Sequence, residues 1–61
     1  VGLVVVDFKT DRVSGQWAQQ RAEQYREQLD SYRRAAETVF HKPVRGCALF
    51  FLHCGKTIWL M

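Results

Sequence analysis

The chain has 61 residues, a formal net charge of +3 and 48% hydrophobic residues, with Phe, Trp and Tyr making up 13%. This length allows at most one small domain, near the lower limit for a self-sufficient core, and the composition excludes a disordered chain. No apolar run is long enough to cross a bilayer, and no signal-peptide pattern is present. The two cysteines are therefore predicted to be reduced thiols. We therefore expect a cytoplasmic protein with no membrane partner. The small positive charge suits a polyanionic partner but does not require one.

The first predicted element is a strand over residues 2–9, because the three valines at 4–6 are β-branched. Residues two apart share a face of a strand, so Asp7 and Lys9 point to one side and Phe8 to the other. Ionisable groups at the end of an apolar strand are costly unless they are paired or coordinate something. The pair is therefore either a structural ion pair or the beginning of a metal-dependent active site.

Residues 10–15 are polar and irregular, and Ser14 is the predicted N-cap of a helix over residues 16–40. Strong helix formers fill this stretch, and Pro43 ends it because the residue before a proline avoids the α region. The opposite side is charged and is predicted to face solvent. The 3.6-residue period gives an apolar stripe consisting of Ala18, Ala22, Tyr25, Leu29, Tyr32, Ala36, Val39 and Phe40.

The remaining elements are a strand over residues 45–53, apolar on both faces, a turn over 54–57 and a final strand over 57–61. Gly55 is the predicted positive-φ residue of the turn. The order is β-α-β-β, so the first two strands should be parallel and the third antiparallel to the second. We predict an α/β fold with one long helix on a small mixed sheet.

Two motifs stand in order along this scaffold. The first strand ends in D-x-K-T at residues 7–10, and residues 28–32 on the helix read Q-h-x-x-Y. Together they resemble the RecB-like branch of the PD-(D/E)xK nucleases. The stretch from Gly2 to Val13 is similar to the nuclease domain at the C-terminal end of AddA-type helicase–nucleases. The resemblance implies a fragment of a restriction-endonuclease-like core, in which residues 1–61 form the C-terminal part and upstream strands and a helix are missing.

The resemblance also implies roles for single residues. Asp7 would be a metal ligand and catalytic carboxylate, Lys9 the catalytic cation, and Phe8 a ligand through its backbone carbonyl. Gln28 and Tyr32 would line the site and help to hold DNA. The spacing of the helix adds Arg21, seven residues before Gln28 on the same side, as a candidate phosphate contact. Tyr25 is predicted to be a core aromatic with its hydroxyl at the rim.

The implied cofactor is Mg²⁺ or Mn²⁺, and the implied partner is DNA, in single-stranded form. Further partners would be the helicase portion of the same chain and a second nuclease subunit. The implied function is that of a DNA exonuclease domain in an ATP-dependent helicase–nuclease of double-strand break repair and recombination. One carboxylate is a poor Mg²⁺ site, so the 61-residue chain alone is expected to be inactive. Its unpaired first strand and exposed apolar face predict self-association.

Other kinds of site fit the sequence less well. His41, Cys47, His53 and Cys54 are zinc-type residues without zinc-type spacing, and two cysteines are too few for an iron–sulfur cluster. We therefore expect neither group. Two alternatives remain open: a non-catalytic DNA-binding or assembly module with the same fold, and an unrelated small α/β binding domain.

Overall fold

A mixed sheet carries the helices of this protein on one of its faces. The fold is taken from a computed structural model that describes residues 2–61. The first strand, β1 (Leu3–Lys9), runs parallel to the central strand β2 (Val44–Phe51), which runs antiparallel to β3 (Lys56–Trp59). This agrees with the predicted β-α-β-β order and strand directions. The elements are β1 (Leu3–Lys9), α1 (Ala18–Glu23), α2 (Arg26–Phe40), β2 (Val44–Phe51) and β3 (Lys56–Trp59), with a 3₁₀ turn at Gly15–Trp17 before α1.

The single long helix predicted for residues 16–40 is wrong, because the chain is interrupted at Gln24 and Tyr25. There the amides of Gln24 and Tyr25 bond to carbonyls three residues back, those of Arg21 and Ala22. The α-helical pattern resumes when the amide of Leu29 bonds to the carbonyl of Tyr25. Ser14 does precede the first helical turn, but its side chain makes no capping hydrogen bond.

Three helical side chains form the helical side of the core. Ala18 and Ala22 are fully buried and Leu29 is 1% exposed, facing Leu49 and Phe51 of β2. The C-terminal residues of the predicted apolar stripe are not buried. Tyr32, Val39 and Phe40 are 44%, 68% and 60% exposed. Helical spacing places residues on one side, but burial also needs a surface opposite them, and no described element covers these three.

The charged side of α2 faces solvent, as predicted. Its charges pair within one helical turn, for example Arg33 with Asp30 at 2.7 Å. Glu37 also reaches out of the helix, where its Oε2 accepts a hydrogen bond from the amide of Val44 at 2.9 Å. That bond fixes the end of α2 against the first residue of β2.

The central strand is buried on both faces, as predicted, but it is shorter than expected. It ends at Phe51, because residues 52–55 form a turn in which the amide of Gly55 bonds to the carbonyl of Phe51. Gly55 has a φ of 67°, the positive value that was predicted. The third strand ends at Trp59 and not at residue 61. After it, the amides of Leu60 and Met61 share one acceptor, the carbonyl of Cys47, so the regular ladder stops.

On the sheet face opposite the helices, the apolar side chains of β1 are exposed, whereas the central strand beside them is buried. Val4, Val6 and Phe8 of β1 are 46–62% exposed there, and Phe8 packs edge-to-face on Phe50 of β2. Within residues 2–61, β1 pairs with one strand only, so its outer edge is free. The unpaired edge and exposed apolar face expected from the sequence are both present.

Candidate functional site

Asp7 and Lys9 end the edge strand on the side that faces α2. The alternation of β1 puts them on the same face, as predicted, with Phe8 pointing to the other. Lys9 Nζ lies 2.9 Å from Asp7 Oδ2, and the two side chains are only 15% and 25% exposed. In the sheet Asp7 lies beside Leu49 of β2 and Lys9 lies beside Phe51. The ion pair is thus held at the rim of the core.

The Lys9 ammonium has neighbours on three sides. It donates a hydrogen bond of 2.7 Å to Gln28 Oε1 and lies 4.1 Å from the centre of the Tyr25 ring. Asp7 provides the third neighbour. A lysine ammonium has three donors and its position is ordinarily flexible, whereas here a carboxylate, an amide oxygen and an aromatic face enclose it. The structure therefore brings together three of the predicted site residues: Asp7, Lys9 and Gln28.

Two oxygen atoms at this strand end accept no hydrogen bond from the described residues. Asp7 Oδ2 is buried and, although close to Lys9 Nζ, is not aligned for a hydrogen bond with any described residue. The carbonyl of Lys9 bonds to the amide of Leu52 on the β2 side. Since carbonyls alternate along a strand, that of Phe8 points to the free edge of β1. A carboxylate oxygen without a hydrogen bond and a carbonyl at a free strand edge are ligands of the type that Mg²⁺ prefers.

A second polar cluster lies next to the ammonium. Asp11 Oδ2 accepts hydrogen bonds from Arg21 at 2.7 Å and from the Tyr25 hydroxyl at 2.8 Å. The Arg21 bond, together with the Tyr25 bond, lowers the pKa of the Asp11 carboxyl. The same carboxylate, together with burial, raises the pKa of the Tyr25 hydroxyl. Asp11 is thus held charged and Tyr25 neutral, the pairing that their hydrogen bond requires.

The remaining predicted site residues on the helices are Arg21 and Tyr32. Arg21 is directed at Asp11, so one of its nitrogens is already engaged. Tyr32 follows Gln28 by one helical turn, is 44% exposed, and its hydroxyl has no hydrogen bond within residues 2–61. Neither residue contacts Asp7 or Lys9 through a hydrogen bond or ion pair in the described part of the chain.

The zinc-type residues do not come together. Nowhere in the described part of the chain do three His, Cys, Asp or Glu side chains cluster in a way that could hold a metal ion. Cys47 and Cys54 are free thiols, the first buried in β2 and the second in the turn before β3. Burial raises the pKa of the Cys47 thiol, which makes it a packing residue and a poor nucleophile.

Sequence reasoning missed the part played by two residues. Asp11 stood in an irregular segment, where no period gives the direction of a side chain, and Tyr25 was assigned to the core. Tyr25 does pack against the core with its hydroxyl outward, yet its ring also faces Lys9. One signal was present: Tyr25 precedes Gln28 by three residues, a spacing that puts both on one side of a helix.

Neither helix within residues 2–61 has the length and apolar character needed to cross a bilayer. No family model matches the chain, and no solved structure matches it.

Curated relatives do match over nearly its whole length. The chain is 39% identical over 57 residues to a protein of Carboxydothermus hydrogenoformans, in an alignment that covers 93% of the chain and 5% of the relative. A relative from Desulforudis audaxviator is 46% identical over 55 residues, covering 90% of the chain and 4% of the relative. One from Geobacillus thermodenitrificans is 41% identical over 56 residues, covering 80% and 4%. All three are named as a subunit of an ATP-dependent helicase/nuclease, and the chain spans only 4–5% of their length.

Proposed function

We propose that this chain is the C-terminal part of a RecB-like nuclease domain within an ATP-dependent helicase–nuclease, and that the complete domain hydrolyses DNA phosphodiester bonds. Homologues named as ATP-dependent helicase/nuclease proteins support the class of protein. The observation that carries the proposed chemistry is the Lys9 ammonium, held between Asp7 and Gln28 at the end of β1.

The residues present fit part of a Mg²⁺ or Mn²⁺ site. Asp7 would hold the ion through its carboxylate, one oxygen of which has no hydrogen bond from residues 2–61, and Phe8 would hold it through the backbone carbonyl directed at the free edge of β1. When bound, such an ion polarises the phosphate and lowers the pKa of the attacking water. With one carboxylate available, we expect affinity in the millimolar range or weaker, roughly 4 kcal/mol or less. Further ligands must come from outside these 61 residues, so the chain alone is inactive in this proposal.

Lys9 supplies a fixed positive charge. Phosphodiester cleavage builds negative charge on the phosphate oxygens, and a pre-positioned cation in a partly dry site stabilises that charge without reorganising. The short bond to Gln28 Oε1 directs the ammonium, while Asp7 limits how far it can move. Gln28 is therefore proposed to orient the catalytic cation as well as to line the site.

The exposed residues on the same side of the helices would hold DNA. The Tyr32 hydroxyl is free to donate to a phosphate oxygen, and its ring offers a stacking surface for an unpaired base. Arg21 is 39% exposed and keeps donors beyond the nitrogen bonded to Asp11. Stacking needs unpaired bases, which favours single-stranded DNA. The proposed protein partners are the helicase portion of the same chain and a second nuclease subunit.

The test uses the full-length protein that contains this chain. We expect Asp7→Ala and Lys9→Ala each to abolish Mg²⁺-dependent release of nucleotides from single-stranded DNA while ATP hydrolysis continues. Asp30→Ala is the matched control, because it also removes an ion-paired carboxylate, here one that pairs with Arg33 and Arg34 on the solvent side of α2. Full nuclease activity in both site variants would refute the assignment. Binding of DNA without cleavage in the unaltered protein, in Mg²⁺ and in Mn²⁺, would instead support a non-catalytic module.

A further inference from the structure

The three neighbours of the Lys9 ammonium are not equally secured. Asp7 is fixed by the strand that it shares with Lys9. Gln28 lies in the regular part of α2. Tyr25 lies in the break between α1 and α2, where its φ of −103° and ψ of 5° depart from the helix. The Tyr25 ring is half-buried at this break. It could turn outward if its hydroxyl were not bound.

Asp11 binds that far end. The Tyr25 hydroxyl donates to Asp11 Oδ2 at 2.8 Å, and Arg21 donates to the same oxygen at 2.7 Å. The Asp11 side chain is only 15% exposed. Because a bond between a neutral donor and a carboxylate is stronger than one between neutral groups, this link resists rotation of the ring.

The ring in turn limits the ammonium. Lys9 Nζ lies 4.1 Å from the centre of the Tyr25 ring, within the range of a cation–π contact. On this side the ammonium meets an aromatic face in place of water. If the ring turned away, water would fill the gap and Lys9 could swing from Gln28 into solvent.

We propose that Asp11 and Tyr25 are positioning residues that hold the Lys9 ammonium at the end of β1. A line of contacts runs from Arg21 through Asp11 to the Tyr25 hydroxyl, and from the Tyr25 ring to Lys9. The catalytic consequence of this arrangement rests on the proposed nuclease function, but the placement of Lys9 does not. The lowered pKa of Asp11 keeps the line intact at neutral pH.

A simpler role for the same contacts is a clip that ties the loop after β1 to the helices. The two roles predict different results. Breaking a clip lowers stability and leaves Lys9 where it is. Breaking the proposed line also changes the surroundings of Lys9.

NMR on the 61-residue chain separates them. The methylene protons beside Lys9 Nζ lie near the face of the Tyr25 ring, so their resonances should be displaced upfield from those of the exposed Lys56. Tyr25→Phe keeps the ring and removes its bond to Asp11, and Asp11→Asn removes the charge that strengthens the bond. We expect both variants to move the Lys9 resonances toward those of Lys56.

The matched control is Asp30→Asn, which changes another aspartate, paired with Arg33 and Arg34 on α2. It should leave the Lys9 resonances in place. If Tyr25→Phe also leaves them in place, the proposal is wrong and the contacts are a clip. Should Asp11→Asn fail to fold, Tyr25→Phe alone decides the question, because its side chain keeps the same shape.

Activity of the full-length protein provides the second readout. Loss of position of about 1 Å at a catalytic group can cost up to about a hundredfold in rate. We expect Tyr25→Phe and Asp11→Asn to lower kcat for DNA cleavage by about tenfold to a hundredfold with KM for DNA little changed. An unchanged kcat, in a protein that Lys9→Ala inactivates, overturns the positioning role. Full activity of Lys9→Ala itself would overturn the proposed function. The NMR experiment would then still decide whether Asp11 and Tyr25 position Lys9.

Discussion

The ion pair between Asp7 and Lys9 should couple the two residues energetically, because one carboxylate oxygen of Asp7 is buried and, among residues 2–61, has no other cation beside it. Replacing Lys9 with Met keeps most of the length and the apolar part of the side chain and removes the charge and the hydrogen-bond donors. The buried oxygen then loses its counter-charge, and Gln28 Oε1 loses its donor. Both losses act on the folded state.

The magnitude follows from distance and exposure. At 2.9 Å and an effective dielectric constant of about 20, the direct attraction is about 6 kcal/mol. Removing two charged groups from water offsets most of it, and both side chains keep some exposure to solvent, so a coupling energy of about 1–2 kcal/mol remains. We therefore expect Lys9→Met to lower the free energy of unfolding by about 2 kcal/mol. In Asp7→Asn/Lys9→Met the loss should be smaller than the sum of the two single losses.

Urea denaturation of the four proteins in this double-mutant cycle measures the coupling. The reference is the pair formed by Arg26 and Glu23, which are 2.8 Å apart but 53% and 49% exposed. Its coupling should be smaller than that of Asp7 and Lys9, because water screens it. Additive effects of Asp7→Asn and Lys9→Met, within about 0.3 kcal/mol, would refute the reasoning that a buried oxygen depends on Lys9.

Three further predictions concern the fold. Leu29→Ala removes a fully packed side chain and should lower the free energy of unfolding, measured in urea, by about 3 kcal/mol. Val39→Ala changes a residue of the same predicted stripe that is 68% exposed, and it should cost less than about 0.5 kcal/mol. Equal losses in the two variants would contradict the placement of α2. The pKa of Asp11 is lowered in the folded state by its bonds to Arg21 and Tyr25, so its stabilisation is complete above the ordinary carboxyl pKa of about 4 and is lost as the pH falls below it. The Asp11→Asn variant should therefore lose less stability than the unaltered chain between neutral pH and acid, measured by thermal melts across pH; parallel losses would show that Asp11 contributes nothing. Gly55→Ala should cost about 1 kcal/mol through its positive φ alone, since a Cβ there meets no atom within 4 Å, and an unchanged melting temperature would argue against the turn.

Much of this arrangement is contained in local sequence patterns. A run of β-branched residues makes β1 a strand, and the two-residue period of a strand then puts Asp7 and Lys9 on one side whatever surrounds them. Gly55 is fixed in the same way by the positive φ of its turn. The period of the helix also put Gln28 on the side that faces β1. These features are local, so the sequence alone determines them.

Other features depend on partners that are distant in the chain. Ala, Gln, Glu, Arg and Leu make up most of residues 16–40, and no propensity marks Tyr25 as the point where the helix breaks. The break accompanies a hydroxyl bond to Asp11, fourteen residues earlier, and a contact between the Tyr25 ring and Lys9. Val39 and Phe40 continue the apolar period, yet stay exposed, because burial needs a facing surface that a period cannot supply. The sequence by itself determined the strand end and its charged pair. Only the tertiary structure decided that the Tyr25 ring lies over the Lys9 ammonium and that Asp11 bonds to the Tyr25 hydroxyl, since both contacts arise from packing between elements and not from any local preference.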